Sequence, residues 1–279
     1  MAEGNFAKKV KDAMSARVPS ELTGGIYERN QRPYAHIYRA QKDNFIDGQY
    51  PEKCDIKGDL FGEDKTIIYN GATSLNSSQA LCINFFKEFF KKEEWEMMLL
   101  SDLKDVGVPL ESEIIKNAAF EYVPNSIEET NFDYYMEMNN GIRVSVEVKY
   151  TESGFGMPKY KENPQKYDKK WNDIYEKMVA DCPYLNCDKE VFLGQYQINR
   201  NICYAKDGDI VLFITPRAND AHGMCIGRAY IDSFDNPRIM NVYWEDLVEA
   251  LMKHIAGEPE LLDYYGKFKK KYIDILQEI

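Results

Sequence analysis

The sequence predicts a mixed α/β fold, with a central mixed β-sheet flanked by helices, and three observations carry that prediction. Residues 132–150 read as two strand-like segments joined by Asn139-Asn140-Gly141, residues that tolerate the positive φ of a tight hairpin loop. Asp209 to Thr215 holds an unbroken apolar run stopped by Pro216, the pattern of a strand buried on both faces. Ser77-Ser78-Gln79 precedes Ala80, Leu81, Ile83, Phe85, Phe86, Phe89 and Phe90 at three- and four-residue spacing, which reads as a serine-capped helix with an apolar stripe.

Taken in order, residues 1 to about 70 are polar, broken by Gly24-Gly25, Pro33 and Pro51. A short helix over Asn5 to Arg17 is expected there, followed by an irregular arm. The aromatic helix from Ser77 is core-forming. A segment from Glu111 leads into a strand over Ala118 to Val123, ended by Pro124. The hairpin strands follow, Phe132 to Met138 and Ile142 to Tyr150. Pro164 to Ala180 and Lys189 to Ala205 carry helical patterns, the first with Trp171, Ile174, Tyr175 and Met178 on one side. After the buried strand, helices are expected near Trp244 to Ala256 and Pro259 to Ile279. The organisation expected is one domain over 1–279, with a core at 75–216, an N-terminal extension at 1–70 and a C-terminal helical extension at 217–279.

Bulk composition narrows the function. With 44% apolar and 29% charged residues, the chain is an ordinary globular protein that can bury a sizeable core. It has no apolar run of about 18 residues and no apolar leader after Met1, so a cytoplasmic protein without a membrane span is expected. Six scattered cysteines are too sparse for a disulfide scaffold and read as reduced thiols. Cys182 and Cys187 form half of a zinc spacing with no evident second half, since the only histidines are His36, His222 and His254. There is no G-x-x-x-x-G-K-[ST] phosphate loop, which argues against an ATPase. The net charge of −11 counts against indiscriminate binding to nucleic acid, which needs local positive potential. Lys159, Lys161, Lys166, Lys169 and Lys170, set against Glu162 and Asp168, supply such potential locally; a solvated surface is the plainer reading of that run.

The hairpin yields geometry directly. If the loop is residues 139–141, Met138 faces Ile142, and counting back along both strands puts Asp133 directly opposite Glu147, with Cβ atoms about 4.5–5.5 Å apart. Alternation sends Val144, Val146 and Val148 to the core and Ser145, Glu147 and Lys149 to the other face. Two carboxylates and an ammonium at that spacing can hold Mg²⁺ or Mn²⁺ through hard oxygen ligands, leaving positions for water and a phosphate oxygen. Lys149 would orient the attacking water or steady the transition state. The competing reading is a solvated face on which Lys149 merely pairs with Glu147 or Glu137.

The segments Thr130-Asn131-Phe132-Asp133 and Val146-Glu147-Val148-Lys149-Tyr150-Thr151-Glu152 resemble the PD-(D/E)XK superfamily of restriction-endonuclease-like nucleases, and within it a restriction-endonuclease branch. The resemblance covers roughly residues 75–216, and the order helix, strand, hairpin, helix, strand agrees with that family's core. Phe132 stands where the motif has its proline. The resemblance implies that Asp133 and Glu147 are metal ligands for Mg²⁺ (or Mn²⁺) and Lys149 the catalytic lysine. It also implies a helper glutamate before the hairpin, matched by Glu121, and a polar residue on the helix after the third strand, matched by Gln197. Arg200, nearly a turn later, would face the same side and reach phosphate. Lys159, Lys161, Lys166, Lys169 and Lys170 would flank the site and grip the DNA backbone. The implied function is a metal-dependent endonuclease cutting DNA in restriction or defence, and a homodimer suits cleavage of both strands at a symmetric site. A repair, recombination or RNA nuclease on the same fold, and a non-catalytic binding or assembly protein, are the alternatives.

Overall fold

Val144, Val146 and Val148 alternate along one strand with Ser145 and Glu147, and all five are buried. This strand is therefore sandwiched between two layers. Its valines join a core that also holds Phe85, Phe86, Leu99, Trp244 and Tyr265. A second apolar cluster, built on Tyr175, Phe192, Ile198, Val211 and Phe213, lies on the other face. The computed structural model describes residues 3–27, 30–49, 51, 53–61, 72–222 and 224–279.

The central sheet has six strands: β3 (Asp55–Lys57), β4 (Ile115–Tyr122), β5 (Phe132–Met138), β6 (Arg143–Val148), β7 (Ile210–Thr215) and β8 (Ile239–Tyr243), adjacent in that order. The pairs β3–β4, β4–β5 and β5–β6 are antiparallel, while β6–β7 and β7–β8 are parallel. The sheet is thus mixed, as expected. The loop between β5 and β6 is the three residues read from sequence: the Met138 amide donates to Ile142 O, the Gly141 amide donates to Met138 O, and Gly141 has φ +86°. Every residue of β7 is buried, which is why its apolar run does not alternate.

Helix α2 (Ser78–Phe86) begins as anticipated, with the Ser77 side chain accepting from the Ala80 amide. It lays Phe86 flat against Tyr134 of β5, ring centroids 4.0 Å apart and planes within 6°, a contact contributing about 1 kcal/mol beyond area burial. Helix α3 (Glu93–Asp105), where no element was expected, packs in the same layer, together with α9 (Trp244–His254) and α10 (Pro259–Phe268). Between β6 and β7 the chain crosses the opposite face through α4 (Pro164–Lys170), α5 (Glu176–Ala180), α6 (Lys189–Gly194) and α7 (Tyr196–Ile202), and α8 (Met224–Asp232) lies between β7 and β8. The helix read over 189–205 is in fact two, because the backbone leaves helical geometry at Gln195 (φ −129°, ψ 46°).

Two expectations at the ends are corrected. Beyond α1 (Glu3–Arg17), the N-terminal region is no irregular arm: β1 (Thr23–Tyr27) and β2 (Arg32–Tyr38) form an antiparallel hairpin, and β3 is an edge strand of the central sheet. These strands are short, and Gly24-Gly25 and Pro33 interrupt their pattern, so no period shows through. Residues 217–279 are likewise not purely helical, since β8 completes the sheet; at five residues of mixed polarity it gives no apolar run to read. The six cysteines are free thiols. No helix among the described residues is long and apolar enough to cross a membrane.

Candidate active site

The register of β5 on β6 pairs Tyr134 with Val146 and Tyr135 with Ser145, so one step further along the same ladder Asp133 stands across from Glu147. Both sit where β4, β5 and β6 reach one end of the sheet. Asp133 Oδ2 accepts from the Val148 amide at 2.7 Å, which fixes its carboxylate against the adjoining strand. Glu147 is 3% exposed, and a buried carboxylate is costly unless partnered. Its Oε1 accepts from Lys149 Nζ at 2.6 Å and from Gln197 Nε2 at 2.7 Å, and its Oε2 accepts from Asn201 Nδ2 at 3.2 Å. Gln197 and Asn201 are four residues apart on α7, hence on one face.

The charges in this corner act strongly on one another. Burial, the Glu147 carboxylate and then Glu121 push the Asp133 carboxyl well above the usual range, with Lys149 and the Val148 amide opposing. Burial works against charge on Lys149, but Glu147, Asp133 and Glu152 outweigh it and hold its ammonium above the usual lysine range. The buried Cys82 thiol is driven up by burial and by Asp133, Glu121 and Glu147 together, so the field of these carboxylates reaches through the start of α2.

Glu121 belongs to the same corner. It is the penultimate residue of β4 and has φ +52°, a left-handed conformation that costs a residue other than glycine about 1 kcal/mol or more. Gln79 Nε2 donates to its Oε1 at 2.6 Å, and Asn131 Nδ2 donates to its Oε2. A cleft of about 700 Å³ opens here, lined by Glu121, Asp133 and Glu152 together with Ser77, Ser78 and Gln79 at the N-terminus of α2, an end that favours anions.

The accessory residues divide. Gln197 is brought to the centre: besides holding Glu147, its Oε1 accepts from the Gly156 amide at 2.6 Å. Arg200 is not free for phosphate as expected. Its guanidinium pairs with Glu128, which is wholly buried, and donates to the Glu128 carbonyl at 3.1 Å. Burying Glu128 demanded a cation, and Arg200 meets that need. The lysine run follows the site, beginning on the loop that leaves at Glu152 and is pinned to Gln197 at Gly156 and continuing onto α4, which carries Lys166, Lys169 and Lys170. Lys159, Lys161, Lys166 and Lys169 are exposed, while Lys170 leans on Glu129 at 3.5 Å. Asn201 and Gln79 were missed; their signals were the four-residue spacing from Gln197 and the position two residues after the capping Ser77.

Among the described residues, no three His, Cys, Asp or Glu side chains converge as a ready-made cage for an ion. The donor set still suits Mg²⁺ or Mn²⁺. A small hard cation uses one or two carboxylates and keeps several waters, and the crowding that drives Asp133 toward its neutral form is what such a cation would relieve.

No curated protein and no solved structure matches this chain. One family model does match, over residues 17–273, and the chain therefore belongs to the restriction-endonuclease-like family described as Restriction Endonuclease associating with ARP.

Proposed function

We propose that this protein is a metal-dependent endonuclease that hydrolyses DNA phosphodiester bonds, with Asp133 and Glu147 holding Mg²⁺ (or Mn²⁺) and Lys149 as the catalytic lysine. The observation that carries the reading is the convergence of Lys149 Nζ and Gln197 Nε2 on one oxygen of Glu147 beside Asp133. A bound divalent ion supplies a nucleophilic hydroxide near neutral pH and charge stabilisation on the phosphoryl group.

The chain's own residues do the rest. Lys149 is kept charged by three carboxylates, so it offers a fixed positive group to a phosphoryl oxygen or to the attacking water. Gln197 sets the direction of the Glu147 carboxylate and, through Gly156, ties the following loop to the site. Glu121 adds a third carboxylate at the rim, oriented by Gln79. The helix N-terminus at Ser77 and Ser78 faces the same cleft and favours a phosphate there. Lys159, Lys161, Lys166, Lys169 and Lys170 supply a sequence-independent grip on the DNA backbone, with Lys159 beside Glu162 and Lys170 beside Glu129.

The decisive experiment is digestion of unmodified plasmid with Mg²⁺ or Mn²⁺, with EDTA, and with the Lys149→Ala variant. Cleavage by the wild type alone, silenced by EDTA, is expected. An intact plasmid with either ion, or wild-type cleavage by Lys149→Ala, refutes the mechanism.

A further inference from the structure

The cleft beside Asp133 has a second wall with no part in the hydrolysis described above. Lys11 of α1 and Tyr27, Tyr34 and His36 of the β1–β2 hairpin line it along with Glu121, Asp133 and Glu152. The three rings form a continuous group: Tyr27 meets Tyr34 edge-on, with centroids 6.0 Å apart, and Tyr34 lies 5.3 Å from His36, tilted by 49°. All three are half-buried, and so is Lys11. Burial and then Lys11 hold the His36 imidazole below its usual range, against Asp12, so near neutral pH it is an aromatic surface and not a cation.

The fold holds this wall in place. Ile37 and Tyr38, the next residues of β2, are buried, the Leu75 amide donates to His36 O, and the Tyr38 amide donates to Thr73 O. Phe6, Val10 and Met14 anchor α1 in the main core.

Ring faces bind the flat faces of nucleobases. In a paired duplex those faces are covered by neighbouring bases and only the edges reach the grooves, so a cluster of rings suits a base that has left the stack. A nucleotide-sized cleft with rings and an ammonium on one side and carboxylates on the other can take the base and the phosphate of one nucleotide together.

We infer that the N-terminal hairpin is a base-binding wall: Tyr27, Tyr34 and His36 receive an unstacked base, with Lys11 beside its phosphate, next to the candidate active site. That the ligand is DNA rests on the proposed nuclease function. The unstacked base could come from a single strand or from a nucleotide flipped out of a duplex, and three DNA ligands separate these sources.

Binding is measured by fluorescence anisotropy with the full chain carrying Lys149→Ala, so that no strand is cut, on a single-stranded oligonucleotide, its matched duplex and a duplex with one central mismatch. Adding Tyr34→Ala or Tyr27→Ala is expected to weaken single-strand binding by about 5- to 150-fold and to leave the matched duplex within roughly twofold. Tyr34→Phe, which keeps the ring, is expected to bind as its parent does. Loss on the mismatched duplex as well identifies a flipped base, and loss on the single strand alone identifies a single-stranded ligand. The inference is overturned if the alanine variants bind the single strand like their parent, if they weaken both strand forms equally, if Tyr34→Phe is as damaging as Tyr34→Ala, or if none of the three DNAs binds. A tyrosine-dependent single-strand affinity in a protein that cuts no DNA would keep the wall and remove the nuclease reading; cleavage by a wild type whose hairpin variants bind normally would do the reverse.

Discussion

Gln197 Nε2 and Lys149 Nζ meet at the same oxygen, Glu147 Oε1, at 2.7 Å and 2.6 Å. One donor comes from the strand that carries Glu147 and the other from a helix fifty residues further along the chain. The carboxylate is thereby aimed by two elements at once.

Gln197→Ala removes one of those two constraints and the tether to Gly156. Groups that orient a ligating carboxylate typically matter by about 10- to 100-fold in metal affinity or activity. A fall of that size in plasmid cleavage, with a higher Mg²⁺ concentration needed for half-maximal rate, is expected. An unchanged Mg²⁺ dependence would show that Gln197 only anchors the helix.

Asp133→Ala, Glu147→Ala and Lys149→Ala should each abolish detectable nicking, a loss of at least about 10²- to 10³-fold, while circular dichroism shows a folded protein. Full activity in any one of them removes that residue from the mechanism.

Asp133 also predicts a pH dependence of stability. In the unfolded chain it titrates near 4, whereas in the folded protein burial and neighbouring carboxylates raise its pKa. Between those two values the folded state binds the extra proton, so stability is lost as the pH rises through the window and the loss is complete above the folded value. Asp133→Asn cannot titrate. In EDTA it should melt above the wild type at pH 8, with the gap closing as the pH falls toward 4; Mg²⁺ should stabilise the wild type selectively. Equal melting temperatures at pH 8 would mean that the charge is borne without penalty.

Arg200→Ala tests the corrected role of that residue. Glu128 has no exposed surface, and breaking a buried ion pair from one side typically destabilises by about 3–5 kcal/mol. Urea unfolding should register a loss of that order. A variant as stable as the wild type but weaker on DNA would restore the phosphate-binding role first expected of Arg200.

What could be read ahead of the coordinates was local. The Asn-Asn-Gly loop set the register of β5 on β6, the valines of β6 marked one core face, and that register placed Asp133 across from Glu147. Alternation put Ser145 and Glu147 on the face opposite the valines but did not show that this face is covered: both are buried, and Glu147 meets Gln197 and Asn201 of α7. The break at Gln195, which divides α6 from α7, had one local signal, Gly194 at the end of α6, and an isolated glycine inside a helical pattern is too weak to separate one helix from two. Arg200 and Glu128 lie far apart in sequence, and nothing local says that an arginine will be claimed by a carboxylate 72 positions earlier. The aromatic wall escaped notice for a similar reason, since only the tertiary fold brings Tyr27, Tyr34 and His36 to Asp133.

The helix that contributes Lys11 is braced by residues 270–279: at its end Arg17 donates to Lys270 O at 2.9 Å and pairs with Glu278, and in its middle Lys9 donates to Ile279 O at 3.1 Å. During synthesis α1 emerges long before these partners. At roughly 5–20 residues per second, the interval is on the order of tens of seconds, so the nascent polypeptide carries an unbraced α1 until residues 270–279 have been made.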